Sequence, residues 1–340
     1  MKTYLYCLAG LLLFCISCSK EAVETPENTN EPIASTLVYD IAGSETDSAI
    51  NDVIAGDEVV GPDEKNWAFI NPQVSKRNKL LLFFPGTNSL PSWHQMIGKQ
   101  AASMGYHVVV LRYNNITPIY EICADETNVD CHRNARMEVL TGEDLHDEVS
   151  VDRNHSIENR VLRLLQYLEE NYPDQGWGQY TNDAAIAWNK LVLAGHSQGG
   201  GYAGFIGKLH QVDRVVMFSA SDWFKTAPAN WVLEAGETPS DRIYAFVHLQ
   251  DEAGFFGPNQ IMLKNWEGYG ITDFGEIVLV DATSAPYDNS HTLVTNAETV
   301  DYDHWFHDDN YHNGVIVDPF VPLDSEGESL YKDVWEYLLQ

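Results

Sequence analysis

Basic side chains are scarce in this 340-residue chain: 20 Lys and Arg stand against 50 Asp and Glu, a formal net charge of −30. The few that are present do not gather into a patch, so a polyanion finds no footing. Nucleic acid and anionic lipid surfaces are therefore excluded as direct partners. Long hydrophobic runs are missing too. The apolar stretch from Leu5 to Ile16 is shorter than the roughly 20 residues that span a bilayer. Cysteine is limited to five residues, three of them before residue 19. No internal repeat is visible, which excludes solenoids and propellers. What remains is 44% hydrophobic and 21% charged, an ordinary globular composition of a length that fits one large domain or two small ones.

The opening "MKTYLYCLAGLLLFCISCSKE" carries Lys2, a short apolar run and then small residues, the pattern of a secretory signal. Its end, "CISC", is similar to the lipobox of bacterial lipoproteins, with Cys15 where Leu usually stands. The resemblance implies cleavage after residue 17 and diacylglycerol on Cys18. "SKE", directly after that cysteine, resembles the export tag of surface lipoproteins. Residues 18–36 are rich in Glu, Thr, Pro, Asn and Ser with no periodic apolar face, and read as a flexible tether. The expected location is the bacterial cell envelope, anchored to the outer membrane by lipid alone.

Cys123 and Cys131, in "CADETNVDC", are the remaining pair. In an oxidising compartment they read as a disulfide closing a short loop. A two-cysteine metal site with the adjacent His132 is the alternative, and it lacks a matching set of further ligands.

From residue 37 onward, short β-rich runs alternate with helical patterns. "KLLLFFPGT", "YHVVVLRYNN", "KLVLAG", "DRVVMFSA", "RIYAFVHLQ" and "EIVLVDA" read as strands. Their continuous apolar runs mark strands covered on both faces. "PSWHQMIGKQAASMG", closing on Gly105, and "SIENRVLRLLQYLEENYP", between Ser156 and Pro173, have helical spacing, and "SLYKDVWEYLLQ" reads as the closing helix. The alternation predicts an α/β fold with a mostly parallel central sheet and helices on both faces. Ligands in such folds sit beyond the carboxyl ends of the strands. Residues 117–148 break the alternation and read as an insertion near those ends, a wall or lid. "DQGWGQYTNDAAIAW" is a second irregular excursion. Trp93, Trp177, Trp223 and Trp231 are candidates to shape an aromatic pocket, against the plainer role of packing.

The most informative stretch is "LVLAGHSQGGGYAGFIGKL". A serine hydroxyl becomes a useful nucleophile only when fixed, exposed and next to a base. A tight strand-to-helix bend provides that position, and glycines two residues either side, Gly195 and Gly199, remove side chains that would crowd it. The helix that follows aims free N–H groups at a developing oxyanion. "G-H-S-Q-G" matches the nucleophile elbow in its strand–turn–helix context. On these residues the chain resembles the α/β-hydrolase superfamily over about 37–340. "AGHSQGGG" and "YHNGVIVD" are similar to a little-characterised bacterial branch of it.

The resemblance implies an α/β-hydrolase fold and the chain order nucleophile, acid, histidine. Ser197 is the nucleophile. Asp251, just past "RIYAFVHLQ", is the expected acid, with Asp222 in "FSASDWF" as its rival. The base is expected after the last strand. His312 in "DDNYHNGVIVD" is preferred, His291 in "DNSHTLVT" is the alternative, and His304 and His307 rank lower. His196 is expected to pack or hydrogen-bond beneath the turn. The oxyanion donors are expected to be the backbone N–H of Gln198 and that of Thr87 or its neighbour Asn88.

The expected activity is hydrolysis of a carboxylic ester through an acyl-enzyme, with no cofactor and no metal. The substrate is a small-molecule or polysaccharide-linked ester, and neither its acyl group nor its alcohol can be read. A second possibility comes from "DYDHWFHDDNYH", dense in Asp and His: a metal- or glycan-binding surface lipoprotein on an inactive hydrolase scaffold.

Overall fold

Nine strands form the central sheet of the computed structural model: β1 (Leu37–Ile41), β2 (Asn66–Ile70), β3 (Leu80–Phe84), β4 (His107–Val110), β5 (Leu191–His196), β6 (Arg214–Phe218), β7 (Ile243–His248), β8 (Val278–Leu279) and β9 (Thr292–Thr295). Their spatial order is β1-β2-β4-β3-β5-β6-β7-β9-β8. β2 runs antiparallel to both β1 and β4, and every other neighbouring pair is parallel. The structure describes residues 35–50, 65–182, 185–253, 256–257, 259–301 and 310–340. All belong to one unit, Pro32–Gln340. The signal segment, Cys18, nearly all of the tether, His304 and His307 lie outside the described residues. No helix among the described residues is long and apolar enough to cross a membrane.

The apolar strands divide their side chains between two cores. Leu80, Leu82 and Phe84 of β3 enter one cluster, and Leu81 and Phe83 enter the other. Leu191 and Leu193 of β5 separate from Val192 and Ala194 in the same way. A period of two along a strand produces this split, and both halves are apolar because both faces are covered. Helices α2 (Cys131–Thr141), α3 (Ile157–Asn171), α4 (Gln198–Leu209) and α5 (Ile261–Tyr269) pack on the first face. Helices α1 (Gln95–Ser103) and α6 (Lys332–Leu338) pack on the second. Each fully buried Leu, Val or Phe contributes about 1.5–3 kcal/mol.

Local signals set several boundaries. The Ser156 hydroxyl accepts from Asn159 N–H at 3.3 Å and caps α3, which ends before Pro173. Gly105, at φ 91°, turns the chain from α1 into β4.

Two strand readings need correction. "EIVLVDA" supplies only the two-residue edge strand β8, and Val280–Ala282 coil into a 3-10 turn. The strand inside the sheet there is Thr292–Thr295, seated between β7 and β8 and buried throughout. Its four residues are too few to announce themselves by periodicity. β1 and β2, which the run-based reading passed over, extend the sheet antiparallel at the opposite edge.

Candidate active site

Ser197 occupies the bend between β5 and α4 with φ 52° and ψ −122°, a conformation that L-residues rarely adopt. Its N–H donates to the carbonyl of Phe218 at 2.8 Å, and its own carbonyl accepts from Gly201 N–H at 3.0 Å. A Cβ on Gly195 would stand 2.4 Å from Gly199 C and O, and one on Gly199 would stand 2.1 Å from the Phe84 carbonyl oxygen. The two glycines therefore let β3, β5 and α4 converge behind the serine. Gly200 and Gly201 have a different reason. Added side chains there would strike Ala220 and the Arg136–Asp222 pair.

Beyond the end of β7 lies Asp251, its side chain fully buried. One oxygen accepts from Ala253 N–H at 2.9 Å. Both oxygens meet Nδ1 of His312, at 2.9 and 2.8 Å. A carboxylate only accepts, so Nδ1 carries the ring proton and Nε2 is the basic nitrogen of the neutral imidazole. His312 is part of the helical turn Asn310–Gly314. The backbone of that turn is held from two sides. Glu252 accepts from Tyr311 N–H at 2.9 Å and from His312 N–H at 2.7 Å. His196 Nε2 bonds the His312 carbonyl at 3.1 Å. Burial drives the His196 pKa well below its ordinary value, with the neighbouring His312 and His94 adding to the effect. It is therefore a neutral donor. Its position under the bend agrees with the packing and hydrogen-bonding role expected of it.

The loop after β3 comes close to this bend. A Cβ on Gly86 would lie 2.7 Å from His196 Nδ1 and 3.2 Å from Ser197 Cβ. Asn115 stitches the loop from the β4 side, donating to the carbonyls of Gly86 and Ser89 and accepting from Asn88 N–H at 3.0 Å. The Asn88 N–H is thus committed to the Asn115 carbonyl. Gln198 opens α4, where the first N–H groups have no acceptor in the helix. Its side-chain oxygen accepts from Ile119 N–H at 3.1 Å and faces the Thr87 hydroxyl at 3.4 Å.

Ser197, Gln198, Thr87, Asn88, Glu252 and His312 border one cavity of about 590 Å³. Residues 116–121, with His132 and Arg136 of α2, line the same cavity, so part of the 117–148 segment walls it. Cys123 and Cys131 are bonded to each other within it. Among the described residues, the one cluster with metal-ligand spacing is this cysteine pair with His146. His132 is directed elsewhere, toward Asp222.

The rival residues have other partners. Asp222 is buried and receives Arg136 through Nε at 3.0 Å and through Nη2. Burial alone would raise its pKa, but the Arg136 guanidinium and His132 outweigh that and hold it below the usual carboxylate value. His291, the alternative base, stands elsewhere. It enters β9 at the N-terminal edge of the parallel strands, away from the loops that carry Ser197 and Asp251. Its Nδ1 is bonded to the Ile243 carbonyl at 2.9 Å, and its ring stacks on Tyr244 and Phe274. Of the four tryptophans, only Trp223 borders the cavity. Trp177 and Trp231 are buried in the core, and Trp93 packs against it.

The sequence reading missed the holding roles of Glu252 and Asn115 and the buried Arg136–Asp222 pair. Glu252 stands beside the expected acid, which was the available hint. Arg136 offered none, because its partner is 86 residues away. No protein-family model matches the chain, and no curated protein matches it significantly.

Proposed function

We propose that the chain is a serine hydrolase of the α/β-hydrolase superfamily, acting on carboxylic esters through Ser197, His312 and Asp251. The observation that carries this reading is the Asp251 carboxylate on His312 Nδ1, with that histidine and a serine on a strained bend bordering one cavity. The chain order Ser…Asp…His and a second donor loop after β3 support it.

The chemistry follows from the roles of the groups. His312 Nε2 takes the Ser197 hydroxyl proton as Oγ attacks the ester carbonyl. The N–H groups of Gln198 and Thr87 hold the resulting oxyanion. Collapse expels the alcohol, which receives the proton from His312, and leaves an acyl-serine. Water then attacks, giving its proton to His312, and as the acid departs His312 returns that proton to Ser197 Oγ. Asp251 stabilises the imidazolium in both halves and keeps its orientation. No cofactor or metal enters these steps. The same reading puts the domain at the bacterial envelope, held by lipid on Cys18.

The test is hydrolysis of p-nitrophenyl acetate, butyrate and octanoate by wild type and Ser197→Ala, matched for folding by circular dichroism. Wild type turns over and reacts with a fluorophosphonate probe. Ser197→Ala loses about 10³-fold or more in kcat and all probe labelling. A wild type that is silent in both assays overturns the reading and brings the binding-lipoprotein alternative forward.

A further inference from the structure

We infer that the cavity seats a neutral saccharide, and that the ester cleaved is an acyl group carried on one of its hydroxyls; this rests on the hydrolase reading above. The first support is a set of buried polar atoms with nothing to bond. His132 is 2% exposed and borders the cavity, and among the described residues neither of its ring nitrogens has a hydrogen-bond partner. Asp222 Oδ1 is 3.9 Å from Nδ1, an electrostatic contact beyond hydrogen-bond range that meets the ring's polarity only in part. The hydroxyls of Ser219 and Ser221, just past β6, border the same cavity and are likewise buried without partners. Ser219 is also held at φ 45°, in the left-handed region. Native proteins rarely leave such groups unpaired, and seldom several at one place. A ligand offering several hydroxyls, each both donor and acceptor, would satisfy those that a side-chain rotation turns toward the cavity.

Charge narrows the class. Arg136 is the only arginine or lysine bordering the cavity among the described residues, and it is already engaged. Nε and Nη2 are on Asp222, Nη1 donates to the Gln198 carbonyl at 3.3 Å, and the guanidinium lies 4.5 Å from the centre of the Tyr202 ring. The other charged side chains at the cavity among the described residues, Glu121, Asp222 and Glu252, are acidic. A phosphate, sulfate or carboxylate would meet repulsion with no cation to offset it.

Shape narrows it further. Tyr120 and Trp223 stack at 5.3 Å with their planes 12° apart, and Tyr120 is 46% exposed. Both rings border the cavity. Aromatic faces carry negative potential and attract polarised C–H bonds, which line the flat faces of a sugar ring. Polar side chains interrupt the apolar lining among the described residues. On this substrate Ser197 takes the acyl group, and the sugar hydroxyl leaves with the proton from His312. Water then releases the acid.

The experiment compares acetylated methyl glucoside, galactoside and xyloside with p-nitrophenyl acetate and p-nitrophenyl octanoate, in wild type, Trp223→Ala and His132→Gln. The deacetylated glycosides, octanoate and inorganic phosphate are added separately as inhibitors of p-nitrophenyl acetate turnover. At least one acetylated glycoside is expected to exceed the octanoyl ester in kcat/KM, and its parent glycoside to inhibit competitively while octanoate and phosphate do not. In each variant the ratio of kcat/KM for that glycoside to kcat/KM for p-nitrophenyl acetate falls about tenfold. His132→Gln keeps much of the size and polarity, and folding of each variant is checked by circular dichroism. Preference for the octanoyl ester, inhibition by phosphate, or an unchanged ratio in folded variants overturns the inference while leaving the hydrolase reading intact. A wild type inert to nitrophenyl esters and to a fluorophosphonate overturns both.

Discussion

Glu252 stands one residue beyond the proposed acid and grips the backbone N–H groups of Tyr311 and His312. The base is thereby held by its ring through Asp251 and by its backbone through Glu252 and His196. A reacting nitrogen displaced by about 1 Å can cost about 10²-fold in rate. Glu252→Ala is therefore expected to lower kcat on p-nitrophenyl acetate by about 10- to 100-fold. KM should move much less, and Glu252→Gln, which keeps one acceptor oxygen, should recover part of the loss. Equal kcat for wild type and Glu252→Ala would remove the positioning role. At this scale the sequence reached the residue types but not every choice. Asp251 and Asp222 both follow apolar strands, and nothing local separates them. Arg136 does, by taking Asp222, and that contact exists only once α2 lies over the end of β6.

At the scale of elements, the bend at Ser197 depends on backbone passing backbone. A methyl on Gly199 would overlap the carbonyls of Phe84 and Pro85, which sit in a central strand and its exit and have little room to retreat. Gly199→Ala should cost about 3 kcal/mol or more, at the upper end of overpacking, because backbone and not a flexible side chain must move. A urea titration reads this as a lower midpoint with unchanged slope. An unshifted midpoint would mean that the bend tolerates side chains. The elbow was legible because strand, glycines, serine and helix are contiguous. β9 was not, since four residues buried between neighbours look the same as a loop until those neighbours are in place.

Across the whole molecule, burial keeps several histidines neutral. It lowers His94 to about 3 against a supporting bond to the Ile316 carbonyl, and lowers His107 to about 4. His196 lies well below its ordinary value for the same reason. All three folded pKa values are depressed from 6.5, the value each regains on unfolding. Their contribution to stability is complete above pH 6.5 and is lost as pH falls from there toward the folded values. Each such histidine steepens the loss by about 1.4 kcal/mol per pH unit within that window. Urea midpoints should fall between pH 7.5 and pH 5, before most carboxylates titrate. His94→Gln should flatten the slope by about one proton. Midpoints that stay constant over that range would contradict the neutral buried histidines.

What the sequence determined alone was whatever neighbouring residues enforce on each other. The layered α/β alternation follows from strand runs that are apolar throughout. The bend at Ser197 follows from glycines at fixed offsets, and the α3 boundaries follow from Ser156 and Pro173. Only the tertiary structure shows that Asp251 meets His312, while Asp222 pairs with Arg136 and His291 bonds the Ile243 carbonyl. Those pairings depend on which loops meet at the carboxyl edge of the sheet, and strand order sets that. β9 carries His291 in at the amino edge, while the chain beyond it returns His312 to the carboxyl edge, where Asp251 meets its ring.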